Sequence, residues 1–273
     1  MSPDFKNAKS ALAEIEAGID ELATSEGWVS YLKTAAKFHK YSMNNLMLIA
    51  MQRPDATQVA GYNTWKNLGR QVMKGEAGIR ILAPMTGTDE ETGEQRTFGF
   101  RTVAVFDVSQ TEGEGIVEPP VELLSGEAPE GIYGSLVAIG AGLGYTTSKV
   151  DDIGGANGET NRSAKTISIL SSSSPAQAVK TMAHELGHVI LHGEGASDRA
   201  RAELEAESVA FIICRFLGID SDDYSFGYVL TWSENGEDAK AGLKESASRI
   251  LKAADQIIKS LETAESQAEG AAA

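Results

Sequence analysis

Two histidines four residues apart, with a glutamate beside the first, constrain this chain more than any other feature: His184-Glu-Leu-Gly-His188. The flanking residues predict a helix, with Ser174 as N-cap, Pro175 at its first position, Gln177 completing a capping box and Gly193 as the stop. On a helix, residues i and i+4 share a face one turn apart. Both imidazoles then reach a single divalent cation at the roughly 2.0–2.1 Å of a zinc–nitrogen bond. Glu185 lies beside them, where it can take a proton from water without being a ligand. Zn2+ is the expected ion, with Mn2+ or another divalent metal as the alternative.

A catalytic zinc site needs a third protein ligand and an open fourth position. The next predicted helix supplies Glu203-Leu-Glu-Ala-Glu207, in which Glu203 and Glu207 share a face and Glu205 points elsewhere. This arrangement resembles thermolysin-like (gluzincin) peptidases. The resemblance implies Glu203 as third ligand and Glu207 as the partner that orients His184 or His188. His192 competes as a ligand, but four residues beyond His188 it has drifted about 40° around the helix and is expected to hydrogen-bond nearby. Oxyanion stabilisation would fall to Tyr224 or Tyr228, and the strand predicted at 165–170 could pair with an extended peptide.

Organisation along the chain separates two parts. Residues 1–50 read as helical, with Leu12, Ile15, Ile19 and Leu22 at spacings of three and four. From Val59 to Val108 short strands take over, with a hairpin tip over Thr86–Gln95 and a strand at 98–108. Residues 111–131 hold six Glu, four Gly and three Pro and no Lys or Arg, too little apolar surface to fold alone. Helices are predicted at 175–192, 199–217 and 238–261. The expected division is a domain over 1–115, an acidic linker over 116–131, a metallopeptidase-like domain over 132–261 and a disordered tail over 262–273. The fold class is α+β.

The net charge of −15 opposes nonspecific nucleic-acid binding by the whole chain, yet the charge is unevenly spread. Residues 31–81 carry eight basic side chains against Asp55 and Glu76, a balance of +6, whereas residues 121–273 carry −11. Within that basic island Tyr62 and Trp65 offer π-faces and Lys66, Arg70, Lys74 and Arg80 offer phosphate partners. Stacking plus electrostatic tracking is what single-strand binding requires. The single cysteine, Cys214, flanked by Phe211-Ile-Ile213 and Phe216-Leu217, is expected to be a buried thiol. No apolar run approaches the roughly 20 residues of a bilayer span, and the N-terminus lacks a secretory pattern. A cytoplasmic protein of a bacterial host, with no membrane partner, is expected.

The string Ser42-Met-Asn-Asn45…Gly61-Tyr-Asn-Thr-Trp-Lys-Asn-Leu-Gly-Arg-Gln-Val-Met-Lys-Gly-Glu-Ala-Gly-Ile79 resembles the N-terminal domain of ArdC-type antirestriction proteins. So does Val105-Phe-Asp-Val-Ser-Gln-Thr-Glu-Gly113. The resemblance implies a single-stranded-DNA-binding domain, with Asn44 and Asn45 among its contact residues, followed by a metallopeptidase fold. It also implies DNA protection on a mobile element or phage. After His188, Val189-Ile-Leu-His192 is similar to the IrrE/ImmA group of regulatory peptidases, which cleave repressors. Three readings follow: a DNA-binding protein with a zinc-dependent peptidase-like domain and an unknown protein or peptide substrate; a repressor-cleaving regulatory protease; and a non-catalytic DNA-binding protein with a structural metal.

Overall fold

The computed structural model describes residues 7–88, 95–113, 128–193, 198–219 and 237–272. Contacts divide the chain into two units, Met1–Leu22 with Tyr41–Glu118, and Ala23–Lys40 with Pro119–Ala273. The helix content reaches across the expected boundary, because α2 (Ser25–Phe38) belongs to the second unit. Trp28, Leu32 and Ala35 are fully buried there, and the Trp28 indole donates to Ser208 Oγ at 3.0 Å. The basic island is divided with it: Lys33, Lys37 and Lys40 lie in one unit and the remaining five basic residues in the other.

In the first unit α1 (Ala8–Leu22) and α3 (Met43–Gln52) pack on an antiparallel sheet of β1 (Val59–Gly61), β3 (Ile79–Thr88) and β4 (Gln95–Asp107), in the order β1-β4-β3. Ile15 and Ile19 of α1 are buried as their spacing predicts, whereas Leu12 is exposed. β3 and β4 form a long hairpin with a register shift at Met85/Thr86. Its tip, 89–94, lies outside the described residues. α4 (Tyr62–Asn67) leads into β2 (Arg70–Val72), which pairs with β5 (Thr111–Gly113).

The edge strand β3 is finished by side chains. Asn45 accepts from Leu82 N–H at 2.8 Å and donates to Leu82 C=O at 2.9 Å, and Gln52 does the same for Arg80, both at 2.8 Å. The two amides are seven residues apart on α3, so one helix face serves alternate residues of the strand. Backbone groups that would otherwise be an open edge are thereby satisfied.

The second unit opens with α5 (Ile132–Gly142), followed by β6 (Thr146–Val150), β7 (Gly158–Asn161) and β8 (Thr166–Leu170). β8 is the central strand, parallel to β6 and antiparallel to β7. Ile167 and Ile169 of β8 are fully buried beneath the helices α5 and α6 (Pro175–Leu191). The strand expected to pair with a peptide therefore has both sides occupied; the edges are β6 and β7, and it is β7 that borders α6. α7 (Arg199–Phe216) packs along α6, and α8 (Glu237–Ala272) packs on α5, α6 and α7. Cys214 on α7 is fully buried, as expected. The stretch from residue 262, read in the sequence as a disordered tail, continues α8, consistent with the high helix propensity of Ala and Glu. Among the described residues no helix is long and apolar enough to cross a membrane.

Candidate metal centre

α6 begins where its sequence predicts and ends one residue short of the expected 192. Ser174 accepts from Gln177 N–H at 3.3 Å and Pro175 occupies the first turn. The Gln177 side chain turns to Thr181 Oγ1, at 3.0 Å, so the capping box is half formed. The helix stops at Leu191, and His192 is the cap residue, in extended conformation at φ −121° and ψ 112°, with Gly193 directly after it. That departure from helical geometry removes the drift expected for His192 and returns its ring to His188.

Gly187 sets the approach of the two helices. A Cβ there would stand 3.0 Å from the Ala206 Cα of α7, so the missing side chain lets the backbones close up. Glu203 and Glu207, on either side of Ala206, then face the histidines of α6. His184 Nε2 and His188 Nε2 are 3.0 Å apart, and Glu203 Oε2 lies 3.4 Å from the first and 3.7 Å from the second. Among the described residues this trio is the group whose donor atoms converge as a cation requires. A point about 2 Å from all three atoms exists within a triangle of those sides, matching zinc-ligand lengths of roughly 2.0–2.1 Å. The donor set, two imidazoles and one carboxylate, fits a divalent ion of borderline hardness.

Glu207 Oε2 meets His184 Nδ1 at 2.8 Å, and Lys180 Nζ lies 3.3 Å from Glu207 Oε1. Of the two histidines left open by the sequence, His184 is the one it contacts. Burial disfavours the His184 imidazolium, but hydrogen bonds to Glu203 and Glu207, and the charges of Glu207 and Glu185, outweigh it and push its pKa up to about 9. Hydrogen bonds from His184 and His188 hold the Glu203 carboxyl well below the usual carboxylate range, against the cost of burial. Glu207 is also lowered: burial acts upward and is overcome by His184 and Lys180.

Glu185 is buried and accepts from Thr160 Oγ1 at 2.7 Å. Thr160 comes from β7, and so does Gly158, where a Cβ would collide with Thr181 Cγ2 and stand 2.8 Å from Glu185 Oε1. Gly158 thus keeps the space beside the carboxylate open. β7, the three histidine-helix residues and Glu203 and Glu207 line a cleft of about 940 Å³, along with Arg162, Lys180 and Arg199. Arg162 Nε is buried without a hydrogen-bond partner. Tyr224 and Tyr228 lie outside the described residues.

Thr160, Gly158 and Arg162 had no signal in the sequence, because an edge strand, with Thr160 25 residues from Glu185, reveals its neighbours only once folded. Glu205 was read as pointing elsewhere. It does point away from the trio, but it is fully buried and bonds to His192.

The residues read as DNA contacts divide sharply. Asn45 is buried in its clamp on β3, and Trp65, 2% exposed, donates to Phe106 C=O at 2.8 Å. Arg70 donates to Thr111 Oγ1 at 2.7 Å and to Thr111 C=O at 3.0 Å. Each of the three already bonds within the fold, Asn45 and Trp65 from buried positions and Arg70 from a half-buried one. Tyr62, Lys66, Lys74 and Arg80 are exposed and Asn44 is half-buried. The exposed rings missed in the sequence are Phe98, at 62%, and Phe100, at 50%, on β4. Their alternation had been read only as strand pattern. Asp107 and Gln110 of the second string also serve the backbone: Asp107 accepts from Thr57, Gln58 and Ser109, and Gln110 reaches Ala77 C=O and Asp107 N–H.

Comparison with known proteins finds two family matches along the chain. The N-terminal domain of anti-restriction factor ArdC matches residues 8–108, and the IrrE N-terminal-like domain of peptidase family M78 matches residues 143–214. The metal-free crystal structure of the antirestriction protein ArdC from plasmid R388 is similar at a TM-score of 0.52 and 25% identity, covering 81% of this chain and 84% of that one. Its Mn(II)-bound structure gives a TM-score of 0.59 at 22% identity, covering 92% and 97%, a likeness of fold. An uncharacterised Bacillus anthracis protein is 24% identical over 279 residues, 83% of this chain and 47% of its own length, so the chain spans about half of that relative. The chain is ArdC-like, an N-terminal domain of the anti-restriction factor ArdC type joined to an IrrE N-terminal-like, M78-type domain.

Proposed function

We propose that the chain is an antirestriction factor whose first unit binds single-stranded DNA and whose second unit hydrolyses peptide bonds with a divalent metal held by His184, His188 and Glu203. The observation that carries the second half is the trio itself: two imidazole Nε2 atoms 3.0 Å apart with a carboxylate oxygen against both. Such a cluster of donor atoms is costly without a cation or a proton among them. A bound divalent ion supplies Lewis acidity toward a carbonyl and acidifies water.

Glu185 accepts the proton of the attacking water and returns it to the departing amine, while Thr160 holds its second oxygen. Glu207 orients His184 through Nδ1. The unpaired side of β7 runs along the cleft and can take an extended peptide by strand addition. Arg162 is a donor available to a carbonyl oxygen or carboxylate of such a peptide.

The DNA half rests on accessible groups. Phe98 and Phe100 on β4 are exposed, and so are Arg96, Tyr62, Lys66, Lys74 and Arg80 in the same unit. Rings for stacking and cations for phosphate are the two requirements of single-strand binding.

Glu185→Gln tests the reading. Peptide hydrolysis should fall by about 10²–10⁴-fold, with metal content and single-stranded DNA affinity retained. Intact protection of DNA from restriction in cells carrying this variant would sink the hydrolytic account and leave a DNA-binding protein with a structural metal. The IrrE N-terminal-like match supports a second reading, a regulatory peptidase. A single cellular protein cleaved by wild type and spared by Glu185→Gln would favour it.

A further inference from the structure

Behind His188 runs a chain of contacts that the catalytic proposal does not use. His188 Nδ1 lies 3.1 Å from His192 Nδ1, and His192 Nε2 lies 2.9 Å from Glu205 Oε2. Glu205 is fully buried and anchored on every side. Arg201 Nε donates to its Oε1 at 3.0 Å, Ser246 Oγ donates to the same oxygen, and Arg249 Nη2 lies 3.3 Å from Oε2. Arg249 also donates to the Leu191 carbonyl at the end of α6. A carboxylate with two guanidinium partners is an acceptor only.

We propose that Glu205 and His192 form a positioning relay that fixes the ring of His188 for metal ligation, and that through Ser246 and Arg249 this relay ties the metal centre to α8. The proposal rests on the metal reading above. Each atom of the relay then has one role. With a cation on His188 Nε2, the ring hydrogen sits on Nδ1 and is donated to His192 Nδ1. His192 therefore carries its own hydrogen on Nε2 and donates it to Glu205. The opposite direction would place a hydrogen on the very atom that faces His184 and Glu203. Outer partners of this kind orient a ligand ring and raise its basicity.

His192 is thus a positioning residue and not a third imidazole ligand. Its capacity to reach both partners comes from the extended cap conformation that ends α6. A Gln at 192 would offer an acceptor oxygen and a donor nitrogen with a similar separation, whereas Leu offers neither.

The test uses the full chain. Zn2+ and Co2+ affinities are measured by chelator competition for wild type, His192→Gln and His192→Leu, with the Co2+ absorption bands and the metal-free melting temperature recorded for each. His192→Leu should bind about 10–100-fold more weakly with altered Co2+ bands, and His192→Gln should stay within a few-fold of wild type. In Zn2+-loaded wild type, ¹H–¹⁵N correlation of the imidazoles should find His192 neutral with its hydrogen on Nε2. Should the Leu variant not fold, that wild-type measurement still decides. Equal metal affinity in His192→Leu, or a hydrogen on His192 Nδ1, overturns the relay alone. Failure of wild type to bind metal overturns both it and the metal reading.

Discussion

The two units treat their motif residues in opposite ways. In the first, Asn45, Gln52, Trp65, Arg70, Asp107 and Gln110 spend their hydrogen-bonding capacity on the backbone, closing a strand edge or a turn. In the second, His184, His188 and Glu203 aim their acceptor atoms at one another. A polar motif marks a binding site when it retains capacity after folding, and marks the fold when it does not. Accordingly much of the first unit's strings builds its architecture, and its contact surface has to be sought among their exposed members and the neighbouring strands.

The sharpest way to break this contrast is Trp65→Ala. A fully enclosed indole with its N–H on Phe106 C=O should cost about 3–5 kcal/mol when truncated, read as earlier denaturant unfolding of the first unit. Unaltered unfolding together with lost DNA affinity would return Trp65 to the surface role that the sequence suggested.

Next come the exposed rings of β4. Phe98→Ala with Phe100→Ala should leave stability nearly unchanged and weaken single-stranded DNA binding by about 1–3 kcal/mol for each stacked base. Equilibrium binding to an unstructured oligonucleotide checks this. A loss of stability with no loss of affinity would make these rings part of an unseen packing surface and not a stacking platform.

The metal half was the more legible one because its chemistry is local. Two residues one helical turn apart on a capped helix fix their own geometry, so His184, Glu185 and His188 could be named from spacing alone. Glu203 and Glu207 needed only a second helix packed alongside, and Gly187 is what allows that closeness. The edge strand β7, Thr160 and the His192–Glu205 contact depend on tertiary placement, and no periodicity encodes it. The same limit explains α2. The helical reading of residues 1–50 could not tell that Trp28, Leu32 and Ala35 are buried in the second unit. In the first unit, composition suggested cations and rings without saying which ring was inside: Trp65 is buried, and Phe98, read only as part of a strand, is exposed.

A third test concerns protons at the centre. His184 has its pKa raised to about 9 from 6.5, so in the absence of metal its imidazolium stabilises the folded chain fully below about pH 6.5. That contribution disappears as pH rises through about 9. A metal must displace this proton, so its apparent affinity should fall about tenfold for each unit of pH lowered below about 9, one proton being released per ion bound. Chelator competition across pH 6–9 measures the slope. A flat profile would mean that His184 is not the group the ion replaces, and the second unit would then resemble the first, its polar cluster satisfied from within.

The smallest effect is the most discriminating for the first unit. Lys74 is exposed, next to Gly75 in its turn at φ 94°. If it meets a phosphate, Lys74→Ala should weaken single-stranded DNA binding only a few-fold but reduce the slope of log affinity against log salt by about one contact's worth. Phe98→Ala, by contrast, should lower affinity with the slope unchanged, since stacking releases no counterion. Finding both changes on one variant, or neither, would mean that rings and cations do not share one surface. The unit's accessible basic residues would then be solvated charges on a scaffold whose motif residues are spent inside.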